Sequence, residues 1–284
     1  MPPKELIKGS EMTQWTPEIV GLLPAAGTAQ RISPLPCSKE IYPIGFRIDE
    51  GTGQIRPKVV SHHLFDKFRA AGVRMAYVIA RSGKWDIPAY FGDGQLVGID
   101  IAYLIISGSL GPPDTLDRAY RFLGGSWVAF AFPDMVFGPD DVFRQLIVRL
   151  RETSAAVVLG IYPTEDVRRM DMIDVDETGV VRSLVLKPES TDLRFSWTCA
   201  VWTPVFTEFL HAFVERERRA HTGTTPRAEY VDDAGGDLSV GVVLRAAVQA
   251  GIPVQAVAFP GEAFIDIGTP EHLRNAVIES IIDT

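Results

Sequence analysis

Two cations and two carboxylates carry the chemistry this chain could perform. Arg31 closes a loop of small residues, Pro24-Ala25-Ala26-Gly27-Thr28, and Lys39 follows eight residues later. Small side chains let backbone N–H groups come close to phosphate oxygens, and neighbouring cations neutralise the remaining charge. A nucleoside triphosphate suits such a device, although ordinary strand-to-helix turns also carry small residues beside solvated Arg and Lys. Asp134 follows the apolar run VAFAFP, and Asp266 is set among Phe264, Ile265 and Ile267. A carboxylate ending a buried strand pays desolvation unless a cation or donors satisfy it. Mg²⁺ is a natural partner, because it is held by one or two carboxylates plus substrate phosphates; a turn or helix cap is the alternative. Lys187 follows Leu184-Val185-Leu186, and the rigid Pro188 after it would aim it in a fixed direction. A lysine in water at a strand end is its plainer reading.

These side chains need a scaffold, and apolar runs supply its outline. Strands are expected at Ile19–Leu23, Met75–Ala80, Ile99–Ile106, Trp127–Ala131 and Ala155–Ile161. Helical patterns fall between them at Ser61–Ala71, Lys84–Phe91, Thr115–Leu123 and Val142–Glu152. Such alternation predicts a mostly parallel sheet covered on both faces, with ligands beyond the carboxyl ends of its strands. The loop after Leu23 and Asp134 both lie at such ends. Farther on, Asp174–Leu186 reads as a hairpin turning at Glu177-Thr178-Gly179, Thr203–Arg219 and Leu238–Ala250 as helices, and His221–Gly236 as a polar loop. Phe264–Ile267 precedes a turn and a last helix from about Glu271. Residues 1–15 are read as a flexible N-terminal extension and 16–284 as one domain.

Composition narrows the classes. The 284 residues are 46% apolar and 23% charged, with a net charge of −8, which argues against a nucleic-acid groove. Two cysteines, Cys37 and Cys199, make no disulfide framework, and the five histidines show no metal-ligand spacing. There is no G-x-S-x-G elbow, no P-loop and no G-x-G-x-x-G fingerprint. No apolar run reaches membrane-spanning length and the N-terminus lacks a secretory core, so a cytoplasmic setting is expected. An apolar stripe on the last helix, Leu273, Val277 and Ile281, is a candidate homo-oligomer interface.

In order along the chain, LLPAAGTAQRISPLPCSKE, YFGDGQLVGIDIAYL, PPDTLDRA, FPDMVF, VLKPES and FIDIGTPEHL resemble the motifs of the sugar-1-phosphate nucleotidyltransferases, such as the glucose-1-phosphate thymidylyl- and uridylyltransferases. The resemblance implies a three-layer, Rossmann-like α/β fold around a mostly parallel mixed sheet of the nucleotidyltransferase or GT-A type. It implies attack by a sugar 1-phosphate, or another small phosphate, on the α-phosphorus of an NTP, releasing pyrophosphate. Arg31 would grip the triphosphate with Lys39 beside it, Asp134 and Asp266 would hold Mg²⁺, and Lys187 would bind the acceptor's phosphate. The Pro24–Thr28 loop, Thr115 and Arg118 would contact the nucleotide. The chain departs from the family at Ala29, usually Gly; at Met135, usually Asn; in the Thr115–Ala119 segment; and at Leu186, where the family carries a sugar-binding acid. The changes at Arg118 and Leu186 fall where base and acceptor are recognised, so an altered nucleotide or acceptor is expected. Two rivals remain: a nucleotide-binding regulator of this fold without turnover, and a glycosyltransferase using Asp174-Val175-Asp176 as its D-x-D motif.

Overall fold

A computed structural model describes residues 17–49, 51–222 and 238–282. The expected N-terminal extension therefore lies outside the described residues, as does all of the His221–Gly236 stretch except its first two residues. The elements in chain order begin with β1 (Ile19–Ala25), β2 (Pro43–Ile48), β3 (Ile55–Val59), α1 (Val60–Ala70), β4 (Met75–Arg81), α2 (Asp86–Phe91) and β5 (Asp100–Ile106). They continue through α3 (Pro112–Asp117), α4 (Tyr120–Leu123), β6 (Trp127–Ala131), β7 (Met135–Phe137), α5 (Val142–Glu152) and β8 (Val157–Pro163). The remainder are β9 (Asp171–Val175), β10 (Val181–Leu186), β11 (Phe195–Trp202), α6 (Pro204–Thr222), α7 (Val240–Gln249), β12 (Val254–Ala258), β13 (Phe264–Asp266) and α8 (Pro270–Ile282).

Among the described residues, a mixed sheet runs β10-β9-β11-β6-β1-β4-β5, with β8 pairing β11 and β12. Strands β6, β1, β4 and β5 are parallel to one another. β11 lies antiparallel between β6 and β8. Both faces of the sheet's centre are covered, which is why β1, β6, β8 and β11 are buried almost without alternation. In β1, Val20 and Leu22 face one core while Leu23 and Ala25 face the other. The first core draws on α3, α4, α6 and α7; the second on α1, α2 and α5. Gly21 lets α1 approach, since a Cβ there would lie 2.7 Å from the Phe68 ring.

Several elements escape a purely local reading. The helix expected over Thr115–Leu123 starts at Pro112, and tight bonds from Arg118 N to Thr115 O (3.2 Å) and Ala119 N to Leu116 O (3.0 Å) break it into α3 and α4. β11 threads the middle of the sheet although no strand was expected there. β2 and β3 form a two-stranded arm. The C-terminal stripe is also corrected. Leu273 and Val277 of α8 pack with Ile44, Val60 and Ile267 against that arm, and Ile278 is the exposed apolar residue of the described part of α8. The side chain of Ile281 lies outside the described residues. No described helix is long and apolar enough to cross a membrane.

Candidate active site

The carboxyl end of the β6-β1-β4 sheet opens into a cleft of about 560 Å³. Pro24, Ala26, Gly27, Thr28, Ala29 and Arg31 form one part of its lining, and Lys39, Asp134 and Asp266 another. Ala25 is buried beneath the loop. Arg81, at the end of β4, lines the cleft and donates from Nε to Ala26 O at 3.1 Å, steadying the loop. Ala29 adopts a left-handed φ of 52°. The glycine expected from the family pattern would take this conformation freely, whereas alanine holds it at a cost of roughly 1–2 kcal/mol.

Lys39 sits at the head of a single 3₁₀ turn whose neighbours are tethered. Asp86 accepts from Ser38 N (2.6 Å) and Ser38 Oγ (2.7 Å). Buried Glu40 takes Lys84 Nζ on both oxygens, at 2.7 and 2.9 Å, and its carbonyl receives Ser61 Oγ at 2.6 Å. From this clamp the Lys39 ammonium reaches the Asp134 carboxylate. Burial opposes the charge of Lys39, but the Asp134 carboxylate outweighs it and raises the lysine's pKa.

A small second sheet brings the two aspartates together. β13 pairs antiparallel with β7, with Asp266 opposite Met135, and Ile267 N bonds Asp134 O at 3.1 Å. Burial raises the pKa of Asp266, and the nearby negative charge of Asp134 adds to it. Gly268 N donates to Asp266 Oδ1 at 2.9 Å. A Cβ at Gly268 would stand 2.9 Å from both Arg31 Nη2 and Asp266 Oδ1, so the missing side chain is what lets the guanidinium lie beside the carboxylate. Arg31, Lys39, Asp134 and Asp266 thus share one pocket although they span most of the sequence.

The remaining expected residues divide. Thr115 lines the cleft and shares a 2.8 Å hydroxyl bond with Ser109. Arg118 is absent from the lining and instead pairs with Asp114 at 3.4 Å. Lys187 is exposed, with a left-handed φ of 40°, and is not part of the lining. It sits at the rim: its neighbour Leu186 pairs across strands with Asp171, which does line the cleft. Asp176 of the D-x-D letters is tied up in the hairpin turn, accepting from Thr178 N (2.9 Å), Val180 N (3.0 Å) and Arg182 Nη2 (2.7 Å). Sequence reasoning missed Arg81, Arg169, Asp171, Ser196 and Thr198, all cleft-lining. Asp171 lies three residues before the hairpin expected over Asp174–Leu186; the observed strand begins there, earlier than expected.

Behind the Ser109–Thr115 wall lies a charged lock. Arg218 of α6 donates from Nε to Asp114 Oδ1 (2.7 Å) and from Nη1 to Asp117 Oδ2 (2.6 Å), and both carboxylates are almost completely buried. His211 Nδ1 meets Asp117 at 2.8 Å while its ring stacks on Tyr120.

No group of three or more metal-ligating side chains exists among the described residues. The Asp134–Asp266 pair still suits Mg²⁺, which completes its shell with phosphates and water. A cation beside them would favour the ionised form of Asp266, which burial and the Asp134 charge disfavour.

No protein-family model matches the chain. The low-salt glycan biosynthesis nucleotidyltransferase Agl11 of Haloferax volcanii is 22% identical over 176 residues, covering 60% of this chain and 44% of that protein, so the match spans less than half the length of this curated relative. Three solved structures superimpose along nearly the whole chain. A glucose-1-phosphate thymidylyltransferase from Bacillus anthracis, in complex with sucrose, has a TM-score of 0.72 at 16% identity over 92% of this chain and 95% of its own. UDP-glucose pyrophosphorylase bound to UDP-glucose gives 0.73 at 17% over 94% and 100%. UTP-bound UGPase from Acinetobacter baumannii gives 0.71 at 16% over 94% of each chain. At these identities the likeness establishes architecture: the chain has the α/β fold of the sugar nucleotidyltransferases.

Proposed function

We propose that this protein transfers a nucleotidyl group from an NTP to a sugar 1-phosphate or related small phosphate, releasing pyrophosphate. The observation that carries the proposal is the convergence of Arg31, Lys39, Asp134 and Asp266 in one cleft beside a small-residue loop at a strand's carboxyl end. The names of the curated relative and of the fold neighbours support it.

Transfer between two polyanions needs charge neutralisation and alignment, and positioning with electrostatics supplies most of the rate. The loop's backbone would cradle the triphosphate, and the Ser109–Thr115 segment would bound the base. An acceptor phosphate oxygen attacks the α-phosphorus in line. The bond to the β-phosphate oxygen breaks, and its electron pair leaves with pyrophosphate. Arg31 neutralises the charge that grows on the leaving group. Lys39, held by its clamped turn, would add its charge beside Arg31 in the same cleft. Asp134 and Asp266 would hold Mg²⁺, which screens charge and templates an in-line displacement when bound. Lys187 at the rim would meet the acceptor's phosphate.

The test pairs each NTP with a panel of phosphate acceptors and Mg²⁺, with pyrophosphate release as the signal. Turnover with at least one pair is expected, and Arg31→Ala or Lys39→Ala should lower kcat about 100- to 1,000-fold. No turnover with any pair refutes the proposal. Nucleotide-dependent thermal stabilisation without release would instead favour a regulator of the same fold. The engagement of Lys39 with Asp134 and the strained Ala29 are the features that reading would use.

A further inference from the structure

Large apolar side chains exposed singly are ordinary on a protein surface, but on the β2–β3 arm they gather. The arm's register sets Phe46 opposite Pro57 and Ile48 opposite Ile55. Residues directly opposite each other share a face, and so do residues two apart along a strand. These four side chains therefore form one apolar face. Phe46 is 52% exposed, Ile48 69% and Ile55 72%, and Pro57 is exposed as well. At the root of the arm the fold covers its own apolar surface. Ile44 packs with Leu273 and Val277 of α8, and Val59 is buried in the second core. The outer half of the arm is left open.

A two-stranded ribbon is marginal by itself in water and gains stability by packing an apolar face. Its edges are poor sites for adding another strand, because Pro43 and Pro57 bring no N–H donor. The face is the surface on offer.

The charges of the ribbon indicate what covers that face. Arg47 and Arg56 stand directly opposite each other, and Lys58 lies nearer the root. Like charges in such a pair repel, and Arg47 Nε has no hydrogen-bond partner among the described residues. The turn sequence joining the two strands begins with Asp49-Glu50. One arm thus has a basic stretch toward its root and acids at its tip. Two arms packed face to face and pointing in opposite directions bring each acidic turn to the other's basic stretch. Arms pointing the same way would set acid against acid. A surface complementary to itself when reversed is what an isologous two-fold contact requires.

We infer that the apolar face of the β2–β3 arm is a self-association surface, and that its partner is the same arm of a second copy of this chain, packed in the reverse direction about a two-fold axis. Such a contact needs no substrate, so it stands apart from the transferase reading. Two short strands offer less than the ~800 Å² per partner of a standard interface, which places the dimer in the weak class, with a Kd of about 1–100 µM.

Sedimentation equilibrium of the full chain from about 1 to 200 µM brackets that range. It should show a 31.2 kDa monomer in equilibrium with a dimer. Amide hydrogen exchange of peptides covering residues 43–59 should slow at the high concentration more than exchange elsewhere. The double substitution Ile48→Glu with Ile55→Glu should raise Kd at least about 100-fold while leaving the far-UV circular dichroism unchanged. Arg56→Glu should raise Kd about 5- to 10-fold at low salt, a difference that shrinks in about 0.5 M NaCl. A monomer at every concentration overturns the inference, as does a dimer that survives the double substitution in a folded protein. Exchange over 43–59 that ignores concentration overturns it without any variant, and decides the matter if the double variant does not fold. An Arg56→Glu protein that associates as tightly as the wild type at low salt overturns the reversed pairing of the arms.

Discussion

Replacing Arg218 by Met tests whether buried charge holds the wall of the cleft. Asp114 and Asp117 have side chains 1% and 2% exposed, and Arg218 bonds one oxygen of each. Asp114 also accepts Leu110 N at 2.8 Å, which draws the Ser109–Gly111 turn onto α3. Methionine keeps an unbranched apolar stem and deletes the guanidinium and its charge, leaving two buried carboxylates facing each other. Arg118, 41% exposed and 3.4 Å from Asp114, and His211 compensate only in part. Removing one partner of a buried ion pair typically costs about 3–5 kcal/mol. Two charge-assisted hydrogen bonds at about 1.5–3 kcal/mol each give about 3–6 kcal/mol, which overlaps that range. At about 2–4 °C per kcal/mol for chains near this size, Tm should fall by roughly 6–20 °C. Thermal melts followed by circular dichroism for the wild type, R218M, D117N and the double variant measure it. The double variant should cost less than the sum of the single ones, by about 1–3 kcal/mol, because the charges interact directly. Since Gly111, Pro112 and Thr115 line the cleft, NTP affinity should weaken too. A Tm within 2 °C of wild type, or strict additivity, refutes the reasoning.

Further outcomes concern pH, the carboxylate pair and the Gly111 turn. His62 is buried and its Nδ1 accepts Val59 N at 3.0 Å; burial, then the Arg47 charge, lowers its pKa from 6.5 to about 4. Below pH 6.5 the unfolded chain takes up a proton that the native one refuses, so stability should fall as pH drops from about 6.5 to about 4. Urea midpoints across that range should slope less in His62→Asn; an unchanged slope counts against it. Because burial and Asp134 disfavour the ionised form of Asp266, Asp266→Asn should melt no lower than wild type in EDTA at neutral pH while losing transfer. A clearly lower Tm in EDTA would contradict this. Gly111 has a φ of 140°, and a Cβ there would overlap the Leu238 carbonyl, so Gly111→Ala should cost about 1–3 kcal/mol and raise the NTP KM. Wild-type Tm and KM in that variant would show that the contact yields.

What the linear chain determined was the set of local devices. Unbroken apolar runs announced β1, β4, β6 and β8, because a strand buried on both faces tolerates no unpaired polar side chain, and a similar run announced the edge strand β5. The loop after β1 and the aspartate after β6 followed from where ligands bind in such sheets, and the motif order pointed to the fold. Tertiary structure decided everything that depends on pairing between distant segments. β11, the central antiparallel strand, was not predicted, since its place depends on β6, β8 and β9 rather than on its own residues. Asp134 and Asp266 meet only because β7 and β13 pair. Arg218 reaches Asp114 across 104 positions of sequence. Leu273 and Val277, apolar on a helix, faced inward once the β2–β3 arm was in place. Thr198 became a cleft hydroxyl through a register shift, which is a relation between two strands and leaves no mark on either one.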